Sequence, residues 1–125
     1  MNLLLDTHVL LWWLDDQPTL SMKARDAIAN GSNIVFVSAA VVWEIRIKEA
    51  LGKLKIPPDF RDVLSHQPFE MLAVTVDHAF LVGDLPTHHR DPFDRILVAQ
   101  VKTESLVLVT RDIQLKKYKI PIIEA

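Results

Sequence analysis

The chain contains no cysteine. That excludes a disulfide framework, a thiolate metal site and a cysteine nucleophile. Glycine occurs only three times and no segment is low in complexity, so neither a flexible linker nor an internal repeat is expected. No apolar run approaches the roughly 18 residues of a membrane-spanning helix, and no membrane association is expected. Neither sign of charge dominates: 14 basic side chains against 16 acidic give a formal net charge of −2. A strongly cationic nucleic-acid coat is thereby excluded, although a local basic patch is not. The opening Met1-Asn2-Leu3-Leu4-Leu5-Asp6 lacks a basic run and meets a charge at once. No signal peptide is expected from it, and the expected location is cytoplasmic.

What is present suffices for one core. The 125 residues are 50% hydrophobic and 24% charged. A chain of this size buries about two-thirds of the surface its unfolded form exposes. A single domain over residues 1–125 is expected.

Leu3-Leu4-Leu5 is a short apolar run of the kind buried in a parallel sheet. Helices are predicted over Thr7–Leu14 and after the capping residue Ser21, the second stopping at Asn30-Gly31. Ile34–Val37 reads as a second strand with Ser38 at its end. A helix follows from about Ala40 to Leu51, and another from Pro58 to about Ser65. Leu72–Val74 is the third strand candidate, and Asp77–Val82 a short helix. Asp91-Pro92 opens a long helix to about Glu104, with aspartate as cap and proline in the first turn. Leu106–Val109 is a fourth strand. A basic turn with Lys116, Lys117 and Lys119 then leads to an edge strand near Ile122-Ile123. Strands alternate with helices and are apolar on both faces, which predicts an α/β fold of three layers, α/β/α, around a central parallel sheet. Ligands of such sheets sit outside the carboxyl ends of the strands.

Acids gather at those ends. Asp6 closes the first strand, with helix capping as its plain alternative. Glu44 falls on the apolar stripe of its helix with Ala40, Val41, Ile47 and Leu51, while Arg46, Lys48 and Glu49 supply that helix's polarity. A carboxylate on such a stripe is costly unless paired or bound to metal, or unless it reaches solvent at the edge. Asp94 repeats the pattern beside Leu97, Val98 and Val101, though an acid in a first helical turn also suits the helix dipole. Asp91 reads mainly as the cap of that helix and secondly as an outer carboxylate of the site. Asp112 caps the next turn, or pairs with Thr110 as ligands on one side of a strand end. Clustered carboxylates repel and need a cation to share a site. An all-oxygen cluster suits a hard ion, Mg2+ or Mn2+, which in turn suits phosphodiester hydrolysis.

The five histidines, His8, His66, His78, His88 and His89, show no zinc-helix spacing and read as surface or loop residues, with His8 notable beside Asp6. Trp12, Trp13 and Trp43 read as core or as a subunit interface rather than as base-stacking groups. Arg95, Arg111, Lys116, Lys117 and Lys119 form a late basic cluster. It is either a solvated face or a guide for a phosphate backbone. Neutralising the four candidate acids Asp6, Glu44, Asp94 and Asp112 would move the net charge from −2 to +2, compatible with a nucleic-acid substrate.

Four segments, in order, carry a family resemblance: Leu4-Leu5-Asp6-Thr7-His8; Val42-Trp43-Glu44-Ile45; the run from His89-Arg90-Asp91-Pro92-Phe93-Asp94-Arg95 to Gln100; and Val109-Thr110-Arg111-Asp112. Together they resemble a PIN-domain nuclease, and within it the VapC-type toxins of type II toxin–antitoxin systems. The resemblance spans essentially the whole chain. It implies a twisted parallel sheet flanked by helices and a Mg2+- or Mn2+-dependent endoribonuclease. It also implies a homodimer, and a cognate antitoxin whose C-terminal segment enters the active-site groove. Carried over by motif, Asp6, Glu44 and Asp94 are metal ligands and catalytic acids, and Asp112 is a less constant fourth. Thr7, Ser38 and Thr110 match polar positions lining such pockets, and Asp91 matches an acid of this branch. Arg95, Arg111, Lys116 and Lys117 are then candidates for contacts to the RNA backbone.

Rival readings fit less well. A haloacid-dehalogenase-like phosphatase needs an acid two residues after the first aspartate, where His8 stands. A receiver domain needs paired acids at the first strand end. A PIN-like module that binds RNA or protein without cutting is the non-enzymatic alternative.

Overall fold

A computed structural model describes residues 1–125. Five strands, β1 (Asn2–Leu5), β2 (Ile34–Ser38), β3 (Phe69–Leu72), β4 (Val107–Thr110) and β5 (Ile122–Glu124), form one sheet in the order β3-β2-β1-β4-β5. Every neighbouring pair is parallel. Between them run α1 (Thr7–Leu14), α2 (Met22–Ala29), α3 (Ala39–Ala50), α4 (Phe60–Ser65), α5 (Val76–Asp84) and α6 (Pro92–Glu104), with a short 3-10 helix over Ile113–Tyr118. The helices flank the sheet, as the alternation in the sequence predicts. No helix is long and apolar enough to cross a membrane.

The central position of β1 follows from its composition. Leu3, Leu4 and Leu5 have no exposed surface, so both faces of β1 are covered. Their core neighbours include Val35 and Val37 of β2, Leu108 and Val109 of β4, and Leu97, Val98 and Val101 of α6. Chain order turns back at β1: β2 and β3 lie to one side, β4 and β5 to the other. Such a reversal opens a crevice at the carboxyl edge of the sheet, where ligands of parallel sheets bind.

Several boundaries differ from expectation. The third strand is Phe69–Leu72, not Leu72–Val74, because its backbone registers with Val35–Ser38 at the edge of the sheet. An edge strand need not be apolar on both faces, and Glu70 and Met71 are exposed. Ala73 and Val74 instead lead into Thr75, which caps α5 one turn before His78. The region after β4 is a 3-10 helix rather than a simple turn, capped by the Asp112 side chain. On α3 the buried set is Ala40, Val41, Glu44 and Ile45, whereas Leu51, placed on the stripe from the sequence, is exposed.

His78 corrects the reading of the histidines as surface or loop residues. It is fully buried. Its Nδ1 accepts the Thr75 amide at 3.0 Å, so Nε2 carries the proton and donates to Glu104 Oε1 at 2.9 Å. The ring thus satisfies a capping box and ties α5 to α6.

Candidate active site

The site starts at the end of β1. Asp6 leaves the sheet in extended geometry and caps α1, its Oδ1 accepting the Val9 amide at 2.9 Å. Capping and membership of the site are therefore not alternatives: one oxygen serves the helix, and Oδ2 accepts the Thr110 hydroxyl from the end of β4. Asp6 is only 7% exposed. Burial pushes its pKa up, against the lowering effect of the Thr110 and Val9 hydrogen bonds.

The second acid comes from α3. Ser38 ends β2 and caps this helix by accepting the Ala40 amide at 3.1 Å. It is fully buried, so it sets the course of α3 rather than facing a substrate. Glu44, 6% exposed, lies across from the start of α1 and accepts the Thr7 hydroxyl at Oε1. Its Oε2 meets the Lys48 ammonium at 2.7 Å.

The third acid comes from α6. Asp91 caps this helix, its Oδ1 accepting the Phe93 amide at 2.8 Å, and Pro92 fills the first helical position. Asp94 follows one turn later. Its pKa is pushed up to about 7, first by burial, then by the Asp91 carboxylate, with smaller contributions from Asp6 and Glu44, while His89 acts in the opposite sense. Asp94 therefore senses the charge of the other three acids.

His89 joins this cluster, which the spacing of the histidines did not suggest. Its Nε2 stands 2.9 Å from Asp112 Oδ2 and 3.4 Å from Asp94 Oδ2. One ligand-type atom from each of His89, Asp94 and Asp112 lies within 4.8 Å of the others. The Asp91 amide donates to His89 Nδ1 at 3.1 Å, so Nε2 carries a proton and donates to Asp112 Oδ2, with Asp94 Oδ2 close by. Asp112 Oδ1 accepts the Gln114 amide at 3.0 Å and its own amide donates to Thr110 Oγ1 at 3.1 Å. Thr110 thus links Asp112 to Asp6.

The late basic residues are otherwise engaged. Arg95 donates to the carbonyls of Val82, Leu85, Pro86 and His89 and to the Tyr118 hydroxyl. Arg111 donates to the carbonyls of Thr19 and Ala125 and stacks over the Trp12 ring at 4.4 Å. Lys116 pairs with Glu124. Lys117 and Lys119 are exposed. The cation that does face the acids is Lys48.

The donor chemistry fits a hard divalent cation. Asp6, Glu44 and Asp94 present carboxylate oxygens in a partly desolvated space, with a single ammonium against them. The raised pKa of Asp94, from burial first and from the neighbouring carboxylates second, marks a site that favours a neutralising cation.

Asp6, Glu44 and Asp94 thus stand at the carboxyl edge of a parallel sheet. The PIN domain family profile matches residues 3–121, and the chain belongs to that family. Ribonuclease VapC22 of Mycobacterium tuberculosis is 28% identical over 129 residues, covering 96% of this chain and 94% of the relative. The crystal structure of VapBC2 from Rickettsia felis with a promoter DNA fragment aligns at a TM-score of 0.75 and 17% identity, covering 99% of this chain and 98% of that one. DNA-bound VapBC from Salmonella typhimurium aligns at 0.74 and 18%, with the same coverage of 99% and 98%. At these identities the solved structures establish the shared fold.

Proposed function

We propose that this chain is a Mg2+- or Mn2+-dependent endoribonuclease acting as the toxin of a type II toxin–antitoxin pair in the cytoplasm. The observation that carries this reading is the convergence of Asp6, Glu44 and Asp94, from three separate elements, on one partly desolvated edge. The relative named as a ribonuclease and the VapBC complexes with the same fold support it.

Asp6, Glu44 and Asp94 would hold the ion, with Asp112, beside Asp94 and His89, as a fourth ligand. A divalent ion there lowers the pKa of a bound water and offsets charge on the phosphate oxygens. The protein's own part is preorganisation. The Thr7 and Thr110 hydroxyls orient the Glu44 and Asp6 carboxylates. His89 donates from Nε2 to Asp112 and so holds that carboxylate beside Asp94. Asp94 would hold the ion in its ionised form, as metal-binding carboxylates do.

Cleavage of total cellular RNA by antitoxin-free protein tests the reading. Discrete fragments are expected with Mn2+ and none with EDTA. An absence of cleavage together with an absence of Mn2+ binding by calorimetry would instead identify a module that binds without cutting.

Two apolar surfaces suit the remaining partners. A groove of about 680 Å³ lined by Leu11, Trp12, Leu54, Ile56 and Phe60 has His8, the neighbour of Asp6 and Thr7, on its wall. An apolar antitoxin helix fits it, with the following segment running toward the acids. On the α3–α5–α6 side, Trp43, 63% exposed, lines a cavity of about 500 Å³ with Ala40, Val74, Val82 and Phe93, and Phe80 of α5 is 75% exposed. Exposed apolar side chains of this kind suit a second copy of the chain. Phe80→Glu is expected to shift the protein from dimer to monomer in sedimentation analysis; an unchanged mass would place the dimer contact elsewhere.

A further inference from the structure

Lys48 is the one basic side chain of α3 that turns into the site. It lies one helical turn beyond Glu44, its ammonium 2.7 Å from Glu44 Oε2. Exposed pairs at this spacing contribute little. This pair differs, because its acid is buried and its surroundings are further acids. The Glu44 hydrogen bond holds the Lys48 pKa above the usual range, and the Asp91 and Asp94 carboxylates act in the same direction. Arg95, Arg111 and Lys116, which might have supplied positive charge here, are bound to carbonyls or to Glu124 instead. Without Lys48, Glu44 would be a buried carboxylate with only the Thr7 hydroxyl to stabilise it.

We infer that Lys48 is a tethered counter-ion: it neutralises Glu44 in the metal-free site and competes with the divalent ion for that carboxylate. The inference rests on the metal-dependent reading of the same acids. A cation entering beside Glu44 meets a positive charge that lies 2.7 Å from one of its oxygens. Lys48 therefore has two coupled effects. It stabilises the metal-free protein, and it raises the metal concentration needed to load the site.

Mn2+ titration by calorimetry, with thermal unfolding in EDTA and in Mn2+, tests both effects on wild type, Lys48→Met and Lys48→Arg. Methionine keeps most of the apolar stem and removes the charge. Lys48→Met is expected to bind Mn2+ about ten-fold tighter, the size of a modest change in local charge. Its Tm in EDTA should fall, and the rise on adding Mn2+ should exceed that of wild type. Lys48→Arg keeps the charge and should stay near wild type in all three. A purely structural role would lower Tm without tightening Mn2+ binding. Unchanged or weaker binding by Lys48→Met, with wild-type binding intact, overturns the counter-ion role and leaves the metal reading standing. No Mn2+ binding by wild type overturns both. Should Lys48→Met fail to fold, wild type alone decides: the Lys48 side-chain NMR resonance should move on Mg2+ titration and saturate with binding, and a resonance that stays still overturns the inference.

Discussion

Asp94→Asn is expected to lower metal-dependent RNA cleavage by about two to three orders of magnitude or more, a loss typical of removing one electrostatic stabiliser from an active site. The substitution removes a charge and almost no volume, and the α6 cap is Asp91, not Asp94. The fold should therefore survive. Stability adds a second signature. The Asp94 pKa is raised to about 7 in the folded chain from the ordinary value of 3.8. The folded state thus holds this proton more tightly than the unfolded state does. Stability associated with it is fully present below about pH 4 and is lost as pH rises toward 7. Above that pH the metal-free wild type carries an unfavourable charge that the asparagine variant lacks. In EDTA at pH 8, Asp94→Asn should unfold at a higher temperature than wild type, and the Mn2+-dependent rise in Tm should shrink. Wild-type cleavage by the variant would remove Asp94 from the machinery.

Arg95→Met is expected to destabilise the chain by about 2–4 kcal/mol, measured by denaturant unfolding, because several buried or half-buried acceptors lose a charged donor together. The guanidinium gathers carbonyls from the end of α5 and the following loop, Val82, Leu85, Pro86 and His89, onto the first turn of α6. That loop carries His89 and Asp91. Its loosening should also reduce cleavage, through misplacement of Asp94 and Asp112 rather than through weaker RNA binding. Weaker RNA binding at unchanged stability would instead return Arg95 to the phosphate-contacting role suggested by its position in the sequence.

The contrast shows which features are legible in a linear chain. Asp6, Glu44 and Asp94 stand out because each interrupts or ends an apolar pattern that otherwise specifies a strand or a helix face. Leu3-Leu4-Leu5 identifies a central strand for the same reason. The third strand is obscured because it is an edge: with Glu70 and Met71 exposed, its register with β2, not its own pattern, defines it. Basic residues show their charge in sequence but not their partners, so Arg95 and Arg111 resemble free cations until the carbonyls around them are seen. His89 is hidden for another reason. Its partner Asp112 lies 23 residues away, and only the closing of the loop onto the 3-10 helix brings the two together. Lys48 did leave a trace, the Glu-to-Lys spacing of four on one helix face, whose meaning depends on how deeply Glu44 is buried.

The hydroxyl of Thr110 reaches Asp6 across 104 residues of sequence. In a parallel sheet the first strand cannot complete its pairing until the fourth, here β4, arrives. The acids therefore belong to no local folding unit, and the pairing that completes them is of the slow, long-range kind. During synthesis the chain emerges N-terminus first, with Asp6 and Glu44 in place well before Asp94 and Thr110. On the proposed reading, a ribosome making this protein accompanies an unfinished nuclease for most of translation, and its own message and RNA would face a working site only once nearly the whole chain has been made.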